Sequence, residues 1–181
     1  WAIFGFIRVF TLPSTNPDSQ FMHLPIIINW LQDGFFSQFN SQSFMTGFRP
    51  INTYLLTMFQ LSFFPTIDLI EIVQLESWIL LNFITYGILR EFSINQKLAS
   101  TGTLLFMSCP IMLAISTTNQ IDLIFLGLFA AFAYYFYRLY KYQTRFDSFF
   151  TNLLLAILAG AKFQGLLILP LIGLLSLLVL K

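Results

Sequence analysis

Charge is what this sequence has least of. Only 9 % of its residues are Asp, Glu, Lys or Arg, where soluble domains carry about a quarter. A water-facing surface cannot be built from so few charges, which excludes an ordinary soluble fold. The net charge is +1 and no Lys/Arg cluster offers a phosphate-tracking stripe, so a nucleic-acid partner is excluded as well. Cysteine occurs once, as Cys109, which rules out an internal disulfide and a cysteine-based metal site. It lies in an apolar run (Leu104-Leu105-Phe106-Met107-Ser108-Cys109-Pro110) and reads as small packing filler. The single histidine, His23, cannot make a His-rich metal site by itself.

Apolar residues are what is there instead. They make up 57 % of the chain, with 23 phenylalanines, and the mean hydropathy is +0.76. A bilayer accepts helices whose outer faces are apolar. The expected fold is therefore all-α, a polytopic transmembrane helix bundle. Trp1 opens inside an apolar run with no charged leader or cleavage site. Residues 1–12 thus read as the tail of a spanning helix rather than a signal peptide. The expectation is one transmembrane domain over 1–181, a piece incomplete at both ends.

Pro13 closes the first run, and residues 14–68 form a long polar and aromatic segment holding two shorter helical patterns. Phe21, Leu24, Ile28 and Leu31 recur at three- and four-residue spacing, one apolar stripe too short to span. Asn16-Pro17 suits the start of that helix, Pro25 implies a kink or restart, and Asp33-Gly34 ends it. Residues 50–64 carry a second pattern, stopped by Pro65. Both read as amphipathic helices at the membrane surface. Longer apolar runs follow: 69–89, 98–116, 121–137, and then 149–161 and 163–180 meeting near Lys162. Glu71 and Glu76, near the start of the first, read as outer-rim or interhelix polar groups. Arg90 and Lys97 mark one loop; Arg138, Lys141 and Arg145 mark a basic loop further on. Basic loops favour the cytoplasm. That orientation places 14–68, the turn 117–122 and the Lys162 turn outside, as extracytoplasmic segments.

Ionisable groups at membrane depth are costly, so each needs a reason. Taken singly, Asp18 and Asp122 suit helix N-termini, where the dipole favours acids. Arg49 suits a snorkelling position at headgroup level. Lys162 interrupts a long apolar stretch, and either snorkels or meets an anion. Taken together, two carboxylates and two cations fall on one side of the bilayer beneath a long external segment. That combination suits a reaction on a lipid-linked phosphate: a carboxylate deprotonates an acceptor hydroxyl, and cations stabilise the departing phosphate.

The run Asp18-Ser19-Gln20-Phe21-Met22-His23-Leu24-Pro25, followed by Asn29-Trp30-Leu31-Gln32-Asp33-Gly34, resembles the first external loop of bacterial membrane glycosyltransferases related to the protein mannosyltransferases, within the C-type glycosyltransferase superfamily. Three features follow in the same order. Phe48-Arg49-Pro50-Ile51 resembles a basic-Pro motif, Thr117-Thr118-Asn119-Gln120-Ile121-Asp122 a second acidic motif, and Gly160-Ala161-Lys162-Phe163 a Thr-Lys-Gly-like motif at a later turn. The resemblance implies an inverting transfer of a sugar from a polyprenyl-phosphate donor to an acceptor hydroxyl on a lipid, glycan or protein, at the extracytoplasmic face of a bacterial inner membrane. It assigns Asp18 as the general base and Asp122 as its support. Arg49 and Lys162 would hold the donor phosphate, with His23 and Gln120 beside them. A divalent metal, where one is used, would fall to Asp18 and Asp122. Ser19 stands where many relatives carry a second acid, and Ala161 where Thr is usual, so metal use and acceptor identity stay open. Two other readings of the composition remain: a multispan transporter with charges lining a path, and a non-catalytic membrane assembly subunit.

Overall fold

The computed structural model describes residues 2–12, 17, 19–34, 52–63, 71–118, 121–162 and 164–170. These are helices joined by short turns, with no strand among them. In chain order the helices are α1 (Ala2–Thr11), α2 (Leu24–Asp33), α3 (Asn52–Phe63), α4 (Ile72–Glu91), α5 (Gln96–Met107), α6 (Pro110–Ile115), α7 (Asp122–Tyr142) and α8 (Arg145–Ala159). Residues 164–170 are helical as well.

Two of these helices, α4 and α7, are long and apolar enough to cross a membrane. Only 33 % and 22 % of their apolar windows are buried among the described residues. Large side chains such as Phe83, Leu104, Leu105 and Phe149 face outward, an arrangement that water would penalise and hydrocarbon does not.

A layer of α4, α7 and α8 forms the centre, with α5 and α1 packed on α4 and α6 touching α7. At Gly127 of α7 a Cβ would sit 3.8 Å from the Ser77 carbonyl oxygen of α4, an ordinary contact. One apolar cluster (Val9, Leu75, Trp78, Leu81, Met107, Met112, Leu123) ties α1, α4, α5, α6 and α7 together. A second (Ile26, Ile27, Trp30, Tyr54, Leu61, Ile121) joins α2, α3 and the start of α7.

The local signals explain several boundaries. A π-helical turn, Ser19–His23, leads into α2, and Pro25 falls in its first turn, where a missing N–H costs nothing. Gly34 closes α2 with φ +69° and donates its N–H to the Trp30 carbonyl. The apolar run 98–116 does not form one helix. It breaks at Ser108-Cys109 because Pro110 has no N–H to continue the ladder. The Trp78 indole takes up the carbonyl of Met107 at this break, at 3.2 Å. Cys109 lies at the break and is exposed, so it is not packing filler.

Arg138 and Lys141 are likewise not in a loop: α7 runs on to Tyr142. The turn is only Gln143, in the left-handed region with φ +53°, and Thr144. What extends the helix is a charged knot between three helix ends. The Arg138 Nε donates to Asp147 Oδ1 at 2.9 Å, and its Nη1 lies 3.5 Å from Glu91 Oε2. Lys141 Nζ reaches Glu91 Oε1 at 3.3 Å. Thr144 caps α8 by accepting the Asp147 N–H at 3.0 Å, and its hydroxyl donates back to Asp147 Oδ2 at 2.6 Å.

Asp147 precedes the apolar part of α8 and its side chain is fully buried. The Thr144 hydroxyl first, and then the Arg138 guanidinium, hold its carboxyl below the ordinary value of 3.8. A lowered folded value means that its contribution is complete above 3.8 and is lost as pH falls below that value and through the folded one. Asp147→Asn is therefore expected to lower stability at neutral pH by about 1–3 kcal/mol and to flatten the acid limb of the unfolding midpoint, measured against pH in detergent micelles.

Candidate functional site

Among the described residues, two groups of charged side chains stand at opposite ends of the α4–α7–α8 layer. The knot around Arg138 occupies one end. At the other lie the starts of α4 and α7, the end of α8 and the start of α3. α7 separates them by its 21 residues, about 30 Å at 1.5 Å per residue.

At this second end Asp122 sits in the first turn of α7, and Lys162 follows the Gly160-Ala161 turn after α8. Lys162 Nζ donates to Asp122 Oδ1, an ion pair between motifs 40 residues apart. The side chains are 25 % and 46 % exposed, so the pair is open to a ligand. The Phe125 ring lies 6.0 Å from the ammonium, one helical turn along α7.

The start of α7 is held from α4. Gln74, buried and one turn into that helix, accepts the Ile124 N–H through Oε1 at 3.2 Å, satisfying one of the free N–H groups of the first turn. The preceding turn is held from α1: Arg8 Nη1 donates to the Thr117 carbonyl at 2.8 Å. The Ser116 and Thr118 hydroxyls donate to the Leu113 and Ile115 carbonyls, each at 2.8 Å, closing α6 internally. Glu71 is buried at the start of α4, and Glu76 accepts from the Gln60 amide of α3, which makes Glu76 an interhelix group.

His23 is buried at the start of α2. Its Nδ1 and the Tyr54 hydroxyl of α3 are hydrogen-bonded at 2.9 Å, and Trp30 meets the same tyrosine edge-on at 6.0 Å. This contact joins the two helices of the 14–68 segment. Asp18, Arg49 and Gln120 lie outside the described residues, as do Pro50, Ile51 and Asn119. Of the six expected site residues, the structure brings Asp122 and Lys162 together and places His23 on the α2–α3 contact. Among the described residues no three His, Cys, Asp or Glu side chains gather as a metal set.

Next to the ion-paired end an apolar cavity of about 740 Å³ opens between α3, α4, α7 and α8. Asn52, Thr53 and Ala161 line it, with Leu80, Ile84 and Leu128 from the long helices. Its size lies within the usual range of small-molecule sites. Its walls offer hydrocarbon contacts almost throughout.

Arg8, Gln74 and Asn52 were not marked by sequence reasoning. Arg8 is the one charge in its helix, a signal that was visible. Gln74 and Asn52 are polar residues of a common kind within apolar stretches, and only their partners distinguish them. No protein-family model, no curated protein and no solved structure matches this chain.

Asp122 and Lys162 form a partly exposed pair, and such pairs contribute little to stability. Asp122→Ala and Lys162→Ala are each expected to lower the unfolding free energy by no more than about 1 kcal/mol, measured by denaturant titration in micelles. A larger loss would mark the pair as a structural tie.

Proposed function

We propose that the chain acts as a multi-pass membrane glycosyltransferase of the C-type superfamily, at the extracytoplasmic face of a bacterial inner membrane. The observation that carries this reading is the meeting of Lys162 with Asp122 at one end of the helix layer. Both come from motifs that resemble that superfamily, and an apolar cavity adjoins them. An open cation beside a hydrocarbon-lined groove is suited to a lipid that bears a phosphate.

In this reading the donor is a sugar linked to a polyprenyl phosphate. Asp18 takes the proton from the acceptor hydroxyl. The acceptor oxygen attacks the anomeric carbon from the face opposite the phosphate. The bond from that carbon to the phosphate oxygen breaks, and the electron pair leaves with the polyprenyl phosphate. The configuration at carbon inverts. Lys162 and Arg49 hold the phosphate and stabilise the charge that it gains. Asp122 keeps Lys162 placed until the donor arrives, and then shares it. The resemblance counts His23 and Gln120 among the substrate-binding residues. A divalent metal would enter through Asp18 and Asp122.

The test is turnover by the full-length protein in proteoliposomes with a panel of polyprenyl-phosphate sugars, with and without chelator. Asp18→Asn is expected to abolish transfer, by at least about 10²-fold, while inserting normally. Lys162→Ala is expected to raise the donor KM by about tenfold or more, as the loss of a charge-assisted contact should. Full turnover in Asp18→Asn would refute the assignment of the base.

A further inference from the structure

The Lys162 turn joins the end of α8 to the helical residues 164–170, and the Gly160 and Ala161 N–H groups close it on the Ile157 and Leu158 carbonyls. The start of α3 adds two further contacts. The Asn52 backbone N–H donates to the Gly160 carbonyl at 3.0 Å. The Asn52 side chain donates through Nδ2 to the Ile157 carbonyl, also at 3.0 Å. One residue thus grips the end of α8 at two points, 105 residues away in sequence for the side-chain bond.

The partner position is fitted to this grip. A Cβ on Gly160 would lie 2.3 Å from Asn52 Nδ2, 2.7 Å from its Cγ and 2.9 Å from its Oδ1. No side chain larger than hydrogen fits while Asn52 stays in place. Gly160 has φ −95°, which any residue adopts, so close approach and not backbone freedom requires the glycine. On either side Leu158 and Ala161 are fully buried, which seats the turn from below. Lys162 is the next residue, and its ammonium then reaches Asp122.

We propose that Asn52 and Gly160 form a latch that sets where Lys162 stands, making Asn52 a positioning residue for the donor phosphate without touching the donor. The donor part of this proposal rests on the glycosyltransferase reading; the placement of Lys162 does not. The latch also gives the motif Phe48-Arg49-Pro50-Ile51 a physical connection to Gly160-Ala161-Lys162, because Asn52 directly follows the first and grips the second.

Two measurements on the full-length protein test it. The first is the rate at which the Lys162 amine reacts with acetic anhydride, read by mass spectrometry, with exposed Lys97 as the internal standard. Asn52→Ala removes only the side-chain bond, worth about fivefold in an equilibrium. It is expected to speed Lys162 labelling about fivefold relative to Lys97. Asn52→Asp turns an oxygen toward the Ile157 carbonyl and should do the same or more, which guards against a folding defect peculiar to one variant. The second measurement is the kinetic split. Asn52→Ala should raise the donor KM about fivefold with kcat changed less than twofold, and should add nothing in a Lys162→Ala background. Contacts that act through one shared group are non-additive in this way.

Unchanged Lys162 labelling in both variants would overturn the latch, and so would a full additional KM loss on top of Lys162→Ala. Faster labelling in a protein that turns over no polyprenyl-phosphate sugar would uphold the latch and overturn its donor role together with the glycosyltransferase reading. Unchanged labelling in a protein that does transfer sugar would leave that reading standing and remove the latch alone.

Discussion

Helices as apolar as α4 and α7 have few places for a charge, and the structure spends its charges at helix ends in pairs. An isolated ion away from water costs several kcal/mol, and a partner on a neighbouring helix offsets that cost. The consequence is architectural. Glu91, Arg138, Lys141 and Asp147 tie the ends of α4 and α7 to the start of α8. Asp122 and Lys162 join the start of α7 to the end of α8. Between those two ends the packing is mostly apolar, with Leu75, Leu81 and Leu123 in one cluster and the Trp78 indole bonded to the Met107 carbonyl.

The two ends differ in how many partners their charged groups have. At the Arg138 end the buried Asp147 carboxylate accepts from both the guanidinium and the Thr144 hydroxyl, leaving little for a ligand to recruit. At the Lys162 end a single ion pair is partly exposed, and the segments around it are held by Gln74 on the start of α7, the Arg8 guanidinium on the Thr117 carbonyl and Asn52 on the end of α8. A cation held in a fixed frame with one carboxylate partner is suited to meeting an anion. The apolar cavity beside it gives the proposed lipid-linked donor a place for its hydrocarbon.

Much of the helical content was legible because apolar run length and proline are strong signals. The stop of α2 at Gly34 and the start of α3 near residue 52 follow from local chemistry. The errors have local causes as well. Hydropathy reads straight through Ser108-Cys109-Pro110, yet a missing N–H at Pro110 outweighs it and divides the run. Hydropathy also ends α7 at its first arginine, whereas pairing of Arg138 and Lys141 across helix ends keeps those residues helical. The Asp122–Lys162 contact was not legible as a contact. Both residues stood out as charges in apolar surroundings, and the side they share came from the alternation of loops. That they touch depends on the antiparallel packing of α7 and α8, which no local pattern encodes. Asn52 was invisible for a simpler reason: its role lies entirely in two carbonyls of another helix.

The central claim is that the open Asp122–Lys162 end faces outward and the Arg138 knot faces the cytoplasm. Sided cysteine labelling in sealed cells tests it directly. In a Cys109→Ser background, Lys162→Cys should react with a membrane-impermeant maleimide added outside, and Arg145→Cys should react only after permeabilisation. The reverse pattern, or labelling of both positions from one side, would contradict the account.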